Sequence, residues 1–163
     1  MRPGAVFALG LPLLTTAASG VGPVVAVAPT ENVVLAPGGS VEVRLSVVVS
    51  EGFHLQANPA SEKYLVPTKL ELGQDSGVKP GRPVYPTGRP HRLQGASSDL
   101  SIYEGRFEIR IPLRASPEAQ PGECTLIGKL HYQACDARRC FVPTSLPVEL
   151  RVTVAPPKAK EGS

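Results

Sequence analysis

Two cysteines with four residues between them, Cys135 and Cys140 in the stretch YQACDARRCFVP, are the residues of this chain whose type and spacing most directly carry chemistry. On a hairpin with a short loop the flanking positions face each other. Facing strand residues have Cα separations of ~4.5 to 5.5 Å, inside the window that a disulfide requires, so the bond forms without remodelling the backbone. Such a bond is either a staple or a reagent. Closing a loop of about six residues gives only about 2 kcal/mol on the chain-entropy model, so a crosslink here is a weak staple. Arg138 and Arg139 beside Cys140 favour its thiolate, whereas Asp136 beside Cys135 opposes ionisation there. Cys140 is therefore the expected nucleophile. Tyr132, Phe141 and Pro143 are the expected apolar flank for a docking partner, and Asp136, Arg138 and Arg139 the groups expected to tune the sulfurs or contact that partner.

Two other chemistries compete for the same residues. Short hairpin disulfides also occur as inert features of secreted domains, which makes a non-catalytic interaction module the main alternative. A metal site is the other, drawing on the reduced thiols with His54 or His131. Zinc asks for four ligands, and one cysteine pair with scattered His54, His91 and His131 has no recognisable ligand spacing. No metal and no cofactor are expected. His131 alternates with Leu130 and Tyr132 and is expected to face solvent. Cys124 precedes Cys135 by eleven residues, an odd number that places the two on opposite faces if they share one strand, and it is expected to be a buried, inert thiol.

The elements that must position these residues follow from the rest of the chain. Among 163 residues, 18 prolines and 16 glycines interrupt every long run, and tryptophan is absent. That composition favours short strands and turns. Strict alternation marks three strands: Val41, Val43, Leu45, Val47 and Val49 against Glu42, Arg44 and Ser46; Phe107, Ile109, Ile111 and Leu113 against Arg106, Glu108 and Arg110; and Leu146, Val148, Leu150, Val152 and Val154 against Glu149, Arg151 and Thr153. Shorter candidates lie at 53–57, 68–72 and 125–132, separated by turn signals such as Pro37-Gly38-Gly39, Asn58-Pro59 and Pro121-Gly122. Seven or so strands of this kind predict an all-β, immunoglobulin-like, two-sheet antiparallel β-sandwich in a single domain.

The ends read differently. Residues 3–30 carry no charge but are broken by Pro3, Pro12, Pro23 and Pro29, which argues against a membrane span. Arg2, the apolar run from Ala5 to Leu14 and the small residues Ala17 to Gly20 fit a secretory leader. The expected organisation is a leader over 1–20, the sandwich over 21–154 and a frayed tail over 155–163. The net charge of +3 is spread along the chain, apart from Arg82, Arg89, His91 and Arg92 in one loop, so no stripe exists to track nucleic acid.

YQACDARRCFVP, preceded by an alternating strand and followed by a valine-rich last strand, resembles the amino-terminal periplasmic domain of the thiol:disulfide interchange protein family DsbD. GFHLQANPASEKYLVPTKLEL, over 52–72, and IYEGRFEIRIPL, over 102–113, agree with soluble members of that group. The resemblance implies an immunoglobulin-like carrier in the periplasm, monomeric, that takes reducing equivalents from a membrane thiol relay and thioredoxin-like redox proteins and passes them to oxidised clients. It further implies that Cys140 forms the mixed disulfide and Cys135 resolves it. Best-known members cover the disulfide with a loop carrying adjacent aromatics. Here the corresponding stretch, 93–100, is LQGASSDL, leaving Tyr103 or Leu100 as the residues expected over the sulfurs. Neither a multi-pass segment nor a thioredoxin-like domain lies in these residues, so this component of a protein-disulfide reductase is expected to need a separate electron donor.

Overall fold

The computed structural model describes residues 23–92 and 98–156; the expected leader, most of the expected tail and residues 93–97 lie outside them. Twelve strands follow in chain order: β1 (Val25–Val27), β2 (Val33–Leu35), β3 (Ser40–Val49), β4 (His54–Gln56), β5 (Lys69–Leu72), β6 (Val78–Pro80), β7 (Arg89–His91), β8 (Leu100–Tyr103), β9 (Arg106–Ala115), β10 (Gly122–Tyr132), β11 (Ala134–Cys135) and β12 (Thr144–Val154). Among the described residues no helix occurs, and so none is long and apolar enough to cross a membrane.

The three alternating segments become β3, β9 and β12, and their apolar positions point inward as the period of two requires. β3 and β9 pair antiparallel, with Val43 opposite Ile111, Leu45 opposite Ile109 and Val47 opposite Phe107. β10 and β12 pair over eleven positions, including Leu126 opposite Leu150 and Leu130 opposite Leu146. These two pairs are the centres of sheets ordered β1-β3-β9-β6 and β2-β12-β10-β5. Leu45, Ile109, Ile111, Leu126, Leu130 and Leu150 interdigitate between the sheets at no more than 1% exposure. Each such side chain contributes about 1.5–3 kcal/mol by leaving water.

The sandwich differs from the expected one in two respects. β2 joins β12 in parallel, Val33 opposite Val152, so the sheets are not wholly antiparallel. A third four-stranded sheet, β11-β4-β8-β7, is also present. It is made from continuations of both main sheets. β3 turns at Gly52 into β4, β8 turns at Gly105 into β9, and β10 passes through Gln133 into β11. Gly52 and Gly105 have φ of 82° and 61°, backbone that side chains with a Cβ rarely adopt. One face of this sheet, through Leu55, Tyr103 and Ala134, belongs to the common core.

Leu45, at the centre of that core, is the position where truncation tests the packing. Leu45→Ala is expected to cost about 2–5 kcal/mol, whereas Glu42→Ala on the wet face of the same strand is expected to stay within about 0.5 kcal/mol. Urea unfolding of both variants with the disulfide intact measures the contrast.

Candidate functional site: an asymmetric hairpin disulfide

Cys135 and Cys140 are joined by a disulfide across an antiparallel bridge, with Cα atoms 3.9 Å apart, closer than the facing-strand spacing anticipated. The hydrogen bonds explain the proximity. Phe141 N donates to Ala134 O at 2.8 Å and Asp136 N to Arg139 O at 2.9 Å, so the cysteines occupy the intervening non-hydrogen-bonded pair, where side chains approach most closely. The turn is held by Asp136, whose Oδ1 accepts from the backbone N–H of Arg138 (2.7 Å) and of Arg139 (2.9 Å). Those two bonds, followed by the charges of Arg139 and Arg138, keep its carboxyl below the usual carboxylate range. Asp136, expected to tune the sulfurs or contact a partner, also closes the turn with its carboxylate.

The two sulfurs have different surroundings. Cys135 is 1% exposed, whereas Cys140 is exposed at the rim. The difference follows from β11, which lies against β4 with Ala134 opposite Leu55 and Cys135 opposite His54. Opposing residues share a face, so Cys135, His54 and Gln56 lie on the side of the third sheet away from the common core. Ile102, opposite Gln56, and Leu100, two residues earlier on β8, share that side. Cys135, Leu100 and Ile102 are all buried without belonging to the central cluster. Gln56 Nε2 donates to Cys135 Sγ at 3.4 Å.

The return strand is tied down beyond the turn. Gln133 Nε2 donates to Phe141 O at 3.2 Å, and its Oε1 accepts from Val66 N at 3.2 Å. The Phe141 ring lies 6.0 Å from that of Phe53, and the Arg139 guanidinium sits over it at 5.0 Å from the centroid. Arg139 thus stacks on Phe141, and Arg138 is exposed in the turn. Tyr132 and Phe141 are half-buried and pack on the core, while Pro143 is exposed. Val142, two residues past Cys140, is 85% exposed and is the most open apolar side chain beside the disulfide.

Tyr103 is not over the sulfurs. It faces the opposite side of its sheet at 3% exposure, its ring stacked on Phe107 at 4.4 Å and its hydroxyl between Asn58 N (3.1 Å) and Pro86 O (2.9 Å). Alternation places Leu100 on the disulfide side instead. The expected cap stretch falls largely on 93–97, outside the described residues. Cys124 lies on β10 opposite Val152, buried in the core, where burial first and Asp75 second raise its thiol pKa. It is not on the same strand as Cys135: β10 ends at Tyr132 and Cys135 belongs to another sheet.

Two of the three histidines lie together and the third lies apart. His131 is opposite Lys69, with Nε2 3.3 Å from Glu71 Oε2. His54 is 5% exposed and packs on His91 at 4.8 Å between ring centroids. Among the described residues no three His, Cys, Asp or Glu side chains come together to hold a metal. Gln56, Gln133 and Val142 escaped the sequence reading. Gln133 stands inside the cysteine stretch, two residues before Cys135, whereas Gln56 sits in a segment without a chemical motif and meets its sulfur across 79 residues of chain. Val142 was in plain view, inside the cysteine stretch itself.

The class that this fold and site define is an immunoglobulin-like β-sandwich bearing a hairpin disulfide between one buried and one exposed cysteine. The chain belongs to the family of the N-terminal domain of the thiol:disulfide interchange protein DsbD, whose model matches residues 24–151. Among solved structures it is similar to the N-terminal periplasmic domain of ScsB from Proteus mirabilis, with 16% identity and a TM-score of 0.49 over 77% of this chain and 44% of that one. It is also similar to the DsbD N-terminal domain of Neisseria meningitidis in the reduced form, with 14% identity and a TM-score of 0.44 over 68% of this chain and 77% of that one. The chain therefore spans less than half of the ScsB chain. No curated protein matches it significantly.

Burial, then the neighbouring His91, lowers the pKa of His54 from its ordinary value of 6.5, against the opposing pull of Glu104 and Asp136. The unfolded chain thus takes up this proton more readily than the folded one. The associated stability is present above pH 6.5 and is lost as pH falls toward the folded pKa. Unfolding free energies measured across that range are expected to decline in the wild type and to decline less in His54→Asn.

Proposed function

We propose that the domain is an extracytoplasmic thiol-disulfide exchange protein that relays reducing equivalents through Cys135 and Cys140, between a membrane thiol relay or thioredoxin-like donor and client proteins. A partner thiolate attacks the exposed Cys140 sulfur, the bond to Cys135 breaks, and a mixed disulfide forms at Cys140. The partner's second thiol then attacks its own sulfur in that mixed disulfide, leaving this domain with two thiols and the partner oxidised. Transfer to an oxidised client follows the same steps in reverse order, with Cys140 attacking and Cys135 resolving.

The observation that carries this reading is the difference in exposure within one disulfide, since in-line attack needs access to the sulfur attacked. Family membership supports it independently. Val142 and the half-buried Phe141 offer an apolar rim to a partner, with Arg138 and Arg139 as its polar edge. The arginines also favour negative charge at Cys140 through proximity in the turn. Periplasmic residence is part of the proposal, because the pair must meet both oxidised and reduced partners.

Cys135→Ala is expected to accumulate mixed disulfides through Cys140 when expressed in an exporting cell, read by mass spectrometry after acid quenching. Cys140→Ala is expected to trap far less, its remaining sulfur being buried. The opposite ranking reverses the two roles, and capture by neither variant returns the bond to a structural staple.

A further inference from the structure

We propose that Gln56 is a catalytic residue of this exchange, donating its buried side-chain N–H to Cys135 Sγ and stabilising that sulfur as the departing thiolate. The inference rests on the exchange reading above and names a group that it does not require. Gln56 is fully buried, and its Nε2 lies 3.4 Å from Cys135 Sγ, hydrogen-bond range for sulfur. Its backbone is fixed from both sides. The carbonyl accepts from Thr68 N at 3.0 Å and from Thr68 Oγ1 at 2.7 Å, and the N–H donates to Gln133 O at 3.4 Å. The amide oxygen has no partner among the described residues. A buried, half-satisfied amide costs stability that an apolar residue of the same size would not. Its placement against a reacting sulfur gives that cost a use.

In the attack step an incoming thiolate forms a bond to Cys140 Sγ. The Cys135–Cys140 bond breaks, and its electron pair remains on Cys135 Sγ. That sulfur changes from neutral to fully charged in a site closed to water, where a thiolate is otherwise disfavoured. Hydrogen bonds to an ionised acceptor are roughly twice as strong as neutral ones. The Gln56 N–H therefore stabilises the transition state and the thiolate more than the disulfide, the condition for raising a rate. In the closing direction the same donor supplies Cys135 as the thiolate that attacks Cys140 Sγ and expels the partner's sulfur.

Gln56→Leu and Gln56→Met, the second keeping the side-chain length, test the assignment with dithiothreitol as the probe and circular dichroism as the check on folding. Reduction of the wild-type disulfide is expected to be about tenfold faster than that of either variant, the factor a hydrogen bond to a charged group provides. With Cys140→Ala as background, thiolate absorbance is expected to show Cys135 titrating about one pH unit higher without the amide. A structural role alone would loosen the site and leave Cys135 titrating as before. Unchanged or faster reduction in a folded variant, with an unchanged titration, overturns the role of Gln56. Capture of partners through Cys135→Ala involves no change at Gln56, so the exchange reading stands or falls on it separately.

Discussion

The two-residue contact between β11 and β4 is the constraint on which the site depends. β10 is an ordinary core strand up to Tyr132, but at Gln133 the chain leaves its sheet, and Ala134 and Cys135 add to the edge of β4. That step turns Ala134 toward the common core and Cys135 toward a separate buried patch with Gln56 and Ile102. The chain then reverses through the Asp136 turn, which brings Cys140 opposite Cys135 from the outside. One sulfur is held inside a sheet and its partner is left at the rim, although only five positions separate them.

The electrostatic arrangement follows from the same geometry. The Asp136 carboxylate, next in sequence to Cys135, is engaged with the backbone of the turn, where it accepts from two N–H groups. Arg139 is stacked on Phe141, which packs toward Phe53, so the return strand is anchored by its aromatic residue while Val142 stays open. His54 faces Cys135 across the strand pair, and its burial lowers its pKa. Its neighbours Glu104 and Asp136 pull its pKa upward and limit how far burial lowers it.

Much of the sandwich was legible because β3, β9 and β12 are long enough to display period-two alternation, and the structure keeps their faces in the expected phase. The third sheet was not. Its strands are two to four residues long, and β4 is buried at all three of its positions, so His54-Leu55-Gln56 shows no alternation to read. The parallel pairing of β2 with β12 depends on contact between distant segments, which periodicity does not encode. The cysteine hairpin was legible because its spacing is local. Tyr103 was misplaced for the complementary reason, since its face is decided by pairing with Leu55 and not by its closeness in sequence to the cap stretch. Gln56 belongs with it: a polar residue in a short strand reads as solvent-facing until the sulfur it meets is known.

The central claim is that this bond is a reagent. Equilibrating the purified oxidised domain against graded glutathione buffers and quantifying free thiols at Cys135 and Cys140 gives its reduction potential. The account predicts a value well above about −300 mV, where disulfides of exchange pathways lie, and a value below it, among bonds that serve only as structural crosslinks, would contradict the account.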